Sequence, residues 1–167
     1  MSASRISLSW TDHANNETGF RIQRSTNGGA FVNLTTVGPN ITTFSDTGVA
    51  VSSTYSYRVA AFNSAGSSAQ SNTATVALLL PAAPTNLTAN VTKHSDVNLT
   101  WKDNSNNETG FQIERSSNGT AFDVMATVPA NTTTYKDRKG ARQTRYYRVA
   151  ARNNLGLSKY SNIVKVP

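Results

Sequence analysis

The chain has no cysteine among its 167 residues. That excludes a disulfide staple, a thiolate metal site and a cysteine nucleophile. Histidine occurs twice, as His13 and His94, too few for an imidazole cluster. Charged residues make up 15% of the chain, and the longest apolar run, residues 76–80, is far short of the ~20 residues a membrane helix needs. Residues 1–9 lack the apolar core of a signal peptide. What the chain does have is polar and small: 59 residues are Asn, Ser or Thr. Such a composition disfavours long helices and suits strands joined by turns. At 37% hydrophobic residues it is still too apolar for a disordered tail.

An internal repeat sets the organisation. At an offset of 91, Trp10 and Asp12 align with Trp101 and Asp103, and Asn15-Asn16-Glu17-Thr18-Gly19-Phe20 with Asn106-Asn107-Glu108-Thr109-Gly110-Phe111. Over positions 10–46, 21 of 37 residues equal their partners, which chance does not produce. One deletion later the offset is 90. It pairs Tyr57-Arg58-Val59-Ala60-Ala61 with Tyr147-Arg148-Val149-Ala150-Ala151, Gly66 with Gly156, and Ser71-Asn72 with Ser161-Asn162. Two units of about 90 residues result, expected over 1–79 and 80–167, with Pro81 and Pro84 stiffening the junction.

Inside each unit the apolar period is two. Ile6, Leu8 and Trp10 alternate with polar neighbours, as do Phe20 and Ile22, and Tyr55, Tyr57 and Val59. Short alternating strands between turn clusters read as an all-β antiparallel sandwich. The expected core is Trp10, Phe20 and Tyr57 in unit 1, and Trp101, Phe111 and Tyr147 in unit 2. The Trp on the second strand, Gly-Phe-x-Ile-x-Arg-Ser on the third and Tyr-Arg-Val-Ala-Ala near the end occur in the same order twice. On those residues the chain resembles a tandem of fibronectin type III domains of the bacterial extracellular kind, over essentially its whole length. The resemblance implies two immunoglobulin-like β-sandwiches.

Two departures from that pattern matter. Unit 2 has a first strand, residues 84–91, before its Trp-bearing strand; unit 1 has only residues 1–4 there. The edge of the Trp10 strand is therefore expected to be open. A preceding segment of a longer array can cover it, another chain can donate a strand, or the edge stays open. The second departure is the corner Tyr that the family places at the start of the sixth strand. Tyr55 fills it in unit 1, with Val49 as its apolar anchor. In unit 2 that place falls to Arg145, with Tyr146 one residue off and Lys139 or Gly140 as anchor, so either the corner is lost or the strand has slipped by one residue.

Charge follows the same asymmetry. Residues 1–80 carry four Lys and Arg against three Asp and Glu; residues 81–167 carry twelve against six. Lys136, Arg138, Lys139, Arg142, Arg145, Arg148 and Arg152 form a basic stretch able to attract an anionic polymer. Tyr146, Arg148, Ala150 and Arg152 are expected to project together, although Glu114 is placed to pair with Arg148 across the sheet. Too few aromatics interleave to stack bases, so specific nucleic-acid binding is not expected. Asp12 and Glu17, repeated as Asp103 and Glu108, are oxygen-rich enough to weigh Ca²⁺, yet Asx turns account for them equally, and no metal or other cofactor is expected. No His–carboxylate–Ser constellation or carboxylate pair arises within one unit, so no enzyme is expected. Nine Asn-x-Ser/Thr sequons occur, including Asn33, Asn40, Asn86, Asn98 and Asn131; they fit an extracellular or cell-surface setting, with N-glycosylation in a eukaryotic secretory route.

The expectation is a non-catalytic structural or adhesive spacer that meets protein or polysaccharide at a cell surface. Two rivals remain: a filament subunit that self-associates through the open strand of unit 1, and an accessory glycan-associated module of a secreted polysaccharide-degrading enzyme.

Overall fold

A computed structural model describes residues 5–92, 94–138 and 140–167. The chain divides into two compact units, Met1–Leu79 and Leu80–Pro167. Both are built of antiparallel strands.

In unit 1, β1 (Ile6–Ser9) pairs with β4 (Thr43–Asp46) as a two-stranded sheet. The second sheet has the order β3 (Val32–Val37), β2 (Gly19–Thr26), β5 (Ser53–Asn63), with β5 flanked further by β6 (Gly66–Ser67) and β7 (Ala74–Leu78). Unit 2 repeats the plan with one strand more. Its first sheet runs β12 (Thr134–Asp137), β9 (Val97–Lys102), β8 (Thr85–Val91). Its second runs β11 (Asp123–Pro129), β10 (Gly110–Ser116), β13 (Arg145–Asn153), flanked by β14 (Gly156–Tyr160) and β15 (Val164–Val166). Among the described residues no strand stands before β1. Among them, unit 1 thus has no counterpart of β8.

Local chemistry explains several of the boundaries. The Thr-Gly-Phe motif needs its glycine: a Cβ on Gly19 would run into the Val37 carbonyl oxygen, and one on Gly110 into that of Val128. Gly66 and Gly156 sit at φ of 145° and 147°, backbone that L side chains rarely adopt, and they turn the chain out of β5 and β13. After them, Ser71 and Ser161 repeat one device. Each N–H donates to the Val59 or Val149 carbonyl at 2.8 Å, and each Oγ accepts from the same valine's N–H at 3.0 and 3.1 Å.

Trp101 packs on Phe111 with ring centroids 5.6 Å apart, and Trp10 on Phe20 at 5.7 Å. The core of unit 2 takes in Leu87, Val97, Leu99, Trp101, Phe111, Ile113, Tyr147, Val149 and Val166. Unit 1 departs from the expected symmetry. Phe20, Ile22 and Tyr57 are buried, whereas Trp10 and Leu8 are only half-buried. Trp101 is 5% exposed and Leu99 fully covered, because Leu87 of β8 lies beside them.

Two further expectations change. Ala150 does not project with Arg148 and Arg152; it is fully buried between Gln112 on β10 and Tyr160 on β14. The corner of unit 2 is rebuilt rather than slipped. Tyr147 keeps the place of Tyr57, Arg145 takes that of Tyr55, and a short 3₁₀ turn, Gly140–Arg142, precedes the strand. The Ala141 N–H donates to the Ser95 carbonyl at 2.9 Å. In unit 1 the Tyr55 hydroxyl accepts from the Ala50 N–H at 2.9 Å.

Candidate functional site

The polar loop after the Trp strand is the first place to look for chemistry. Asp12 Oδ1 accepts from the Ala14 N–H at 2.9 Å, and Asp103 Oδ1 from Ser105 at 2.9 Å. These are Asx turns. Glu17 Oε1 accepts from the Asn40 N–H at 3.2 Å, and Glu108 Oε1 from Asn131 at 3.3 Å. Asn40 and Asn131 hold left-handed backbone at φ 59° and 60°, so each glutamate latches a strained turn. All four candidate calcium ligands thus bond to backbone of their own unit. Among the described residues no three His, Cys, Asp or Glu come together as a metal group would require.

The basic stretch, contiguous along the chain, is dispersed in space. Lys136 lies on β12 and pairs with Asp96 at 3.0 Å. Arg145, Arg148 and Arg152 lie on β13, in the other sheet, over a span of ~23 Å at strand rise. Arg138, Arg142 and Arg152 are exposed; Lys139 lies outside the described residues. Arg145 lines a shallow concavity of about 230 Å³ with Arg115, Ser116 and Asp123, where Asp123 offsets part of the positive charge.

Arg148 is half-buried. Its guanidinium lies 3.7 Å from the Tyr160 ring centroid and 4.1 Å from that of Phe122. It meets Glu114 Oε2 through Nε at 2.7 Å and Nη2 at 2.6 Å. Tyr160 Oη and Gln112 Nε2 both donate to Glu114 Oε1, at 2.6 and 2.7 Å. Burial pushes the Glu114 carboxyl up, but the bonds from Tyr160, Arg148 and Gln112 outweigh it and hold the group below its ordinary value. Burial and the donated bond raise Tyr160. Unit 1 builds the neutral version: Arg58 stacks on Phe31 at 4.1 Å and donates to Gln23 Oε1 at 2.8 Å.

Reading the residues one by one misses a second buried cluster. Arg24 Nη1 meets Asp46 Oδ2 at 2.8 Å, and the Tyr57 hydroxyl donates to the same oxygen at 2.8 Å. In unit 2, Arg115 and Tyr147 converge on Asp137 at 3.0 and 2.8 Å. Desolvation raises the Asp46 carboxyl, yet the bonds from Arg24, Tyr57 and the Gly48 N–H leave it lowered. Burial first, and the aspartate second, raise the Tyr57 and Tyr147 hydroxyls. The signal was present: all three residue types recur in register in both copies. The cluster ties the two sheets together, the aspartate from one and the arginine and tyrosine from the other, and its acid and base are already matched.

A further concave surface is the uncovered flank of unit 1. A cleft of about 500 Å³ is lined by Leu8, Trp10, Tyr57, Val59 and Asn72 among others, and a second of about 350 Å³ by Ile6, Val76 and Leu78.

These features define a class of fold: two fibronectin type III sandwiches in tandem. Comparison with solved structures agrees. The chain is similar to the FN1–FN3 domains of chicken CNTN1, at 21% identity and a TM-score of 0.50 over 97% of its length. It spans 62% of that structure's chain. It is also similar to a two-domain fibronectin type III segment of chicken tenascin, at 14% identity and a TM-score of 0.50, covering 98% of this chain and 93% of the other. No family model and no curated protein sequence matches it.

Proposed function

We propose that the chain is a non-catalytic structural and adhesive module, two sandwiches in series that space other parts of a secreted or cell-surface protein of the bacterial kind. The observation that carries this reading is where the polar groups go. Asp12, Glu17, Asp103 and Glu108 cap turns, while the buried Asp46, Asp137 and Glu114 match half-buried arginines. The side chains that could do chemistry thus serve the fold of their own unit. The shared fold of the contactin and tenascin segments supports the same reading. No helix among the described residues is long and apolar enough to cross a membrane.

Light scattering on the eluting protein, together with a glycan array, tests the proposal. A spacer elutes as a monomer across concentrations and binds no glycan above background. Specific glycan capture would favour the accessory-module reading, and concentration-dependent polymers the filament.

A further inference from the structure

Two Asn-Gly pairs stand in the chain, Asn27-Gly28 and Asn118-Gly119, at equivalent places in the loops that join β2 to β3 and β10 to β11. An asparagine followed by glycine is open to attack by its own main chain. With no Cβ on the second residue, its amide nitrogen reaches the asparagine carboxamide unhindered. In a folded loop two things decide the outcome: whether that nitrogen is free, and whether the loop has room.

The two loops differ on both counts. In unit 2 the Gly119 N–H donates to Ser116 Oγ at 2.9 Å, and the Asn118 N–H donates to the same oxygen at 3.1 Å. A Cβ on Gly119 would stand 3.2 Å from the Tyr146 ring, so the ring closes the space over the glycine. Asn118 Oδ1 accepts from the Thr120 and Ala121 N–H groups, both at 2.9 Å, and from the Thr120 hydroxyl at 3.0 Å. Unit 1 has Gly29 where unit 2 has Thr120, and the loop bonds otherwise. The Gly29 N–H turns back to the Thr26 carbonyl at 3.0 Å. Ser25 Oγ, the counterpart of Ser116 Oγ, donates to the Gly29 carbonyl at 2.6 Å. Gly28 is exposed, with nothing within 4 Å of where a Cβ would stand. Among the described residues its N–H has no partner.

The Asn27 carboxamide is held and polarised. Its Oδ1 accepts from the Thr54 N–H at 2.9 Å, and the Asn27 N–H donates to the Thr54 carbonyl at 2.8 Å. A donor on Oδ1 draws electron density from Cγ and stabilises the charge that grows on that oxygen as a nucleophile adds. Asn118 has more such donors, so it is the nucleophile that separates the two sites.

We propose that Asn27-Gly28 is a self-modification site, a succinimide-forming turn that stands free in unit 1 and is locked in unit 2. The Gly28 nitrogen gives its proton to solvent base and bonds to Asn27 Cγ; the Cγ–Nδ2 bond breaks and Nδ2 leaves as ammonia. Water then opens the five-membered imide at either carbonyl, giving aspartate or isoaspartate at position 27. Isoaspartate routes the main chain through Cβ, one atom longer, where the loop is pinned to β5, and either product adds a negative charge. The reaction needs no enzyme, ligand or partner, so it goes beyond the spacer reading and does not depend on it.

Incubating the intact chain in heavy-oxygen water at mildly alkaline pH, then locating the label by peptide mass spectrometry, tests the proposal; only new conversions carry label. Position 27 should yield a mixture of aspartate and isoaspartate. Position 118 should convert at least about fivefold more slowly, because Gly119 must first give up a hydrogen bond. Ser116→Ala frees the Gly119 N–H and should speed position 118 by about the same factor. In urea both loops are open, and the two sites of the parent chain should convert at similar rates whether or not that variant folds. Conversion at 118 as fast as at 27 in the native chain overturns the proposal. So does an unmodified Asn27, a purely aspartyl product, which marks direct hydrolysis without the imide, or a preference for 27 that persists in urea, which puts the cause in the sequence rather than in the hydrogen bonds.

Discussion

Residues 10–46 of unit 1 share 21 of 37 residues with their partners in unit 2, yet among the described residues only unit 2 has a closed core. Leu8 and Leu99 are the same residue on the same strand, and so are Trp10 and Trp101. In unit 2 they are buried and in unit 1 half-buried, because β8 lies along β9 on the edge away from β12, while no described strand lies along β1 on the edge away from β4. Burial is thus a property of what packs against a side chain rather than of the side chain. A single strand, seven residues long, makes the difference.

That comparison is open to attack at several points. Trp101→Ala should destabilise unit 2 by about 3–5 kcal/mol, and Trp10→Ala should cost unit 1 roughly half as much, since a partly exposed ring loses less on truncation. Calorimetry resolving the transitions of both units measures this, and equal losses would show that β8 does not matter to the tryptophan. Leu87→Ala should cost unit 2 about 2–5 kcal/mol and raise the hydrogen exchange of the Val166 amide. An unchanged unit 2 transition would remove Leu87 from the account.

Glu114→Gln gives unit 2 the neutral pairing of unit 1 and should cost about 1–3 kcal/mol near neutral pH. It also tests a pH dependence. Glu114 has its folded pKa held below the ordinary 4.5, so its contribution is fully present above that value and is lost as pH falls through the lowered one. Acid titration of stability below about pH 4.5 should therefore flatten for unit 2 in the variant, while the share of Asp46 in unit 1 is unaltered. Parallel acid curves for parent and variant would refute the assignment. The smallest effect expected is at Val76→Ala, within about 0.5 kcal/mol, against about 1–3 kcal/mol for Val166→Ala. Urea midpoints of the two variants decide it.

The legible part of this protein was its repetition and its alternation. Two copies in register announce two units; Ile-x-Leu-x-Trp and Tyr-x-Val announce strands with one apolar face; and Glu114 opposite Arg148 follows from pairing the third and sixth strands. The candidate site was less legible. Nothing local distinguishes Asn162 from the many other Asn residues of the chain, because its amide meets the Leu87 backbone, 75 positions away. Ala150 read as outward-facing from its parity and is buried by Tyr160, which arrives from another strand. The basic stretch read as a patch because its residues are neighbours along the chain, whereas β12 and β13 carry them into different sheets.

Period-two hydrophobicity, glycine where a carbonyl or a positive φ leaves no room, and duplication were enough to determine two β-sandwiches. These are local properties that each strand carries with it. Which tryptophan is covered, which amide is engaged and which cations stand free were decided only when strands distant along the chain met. Burial and hydrogen bonding are settled between partners, and no residue names its partner.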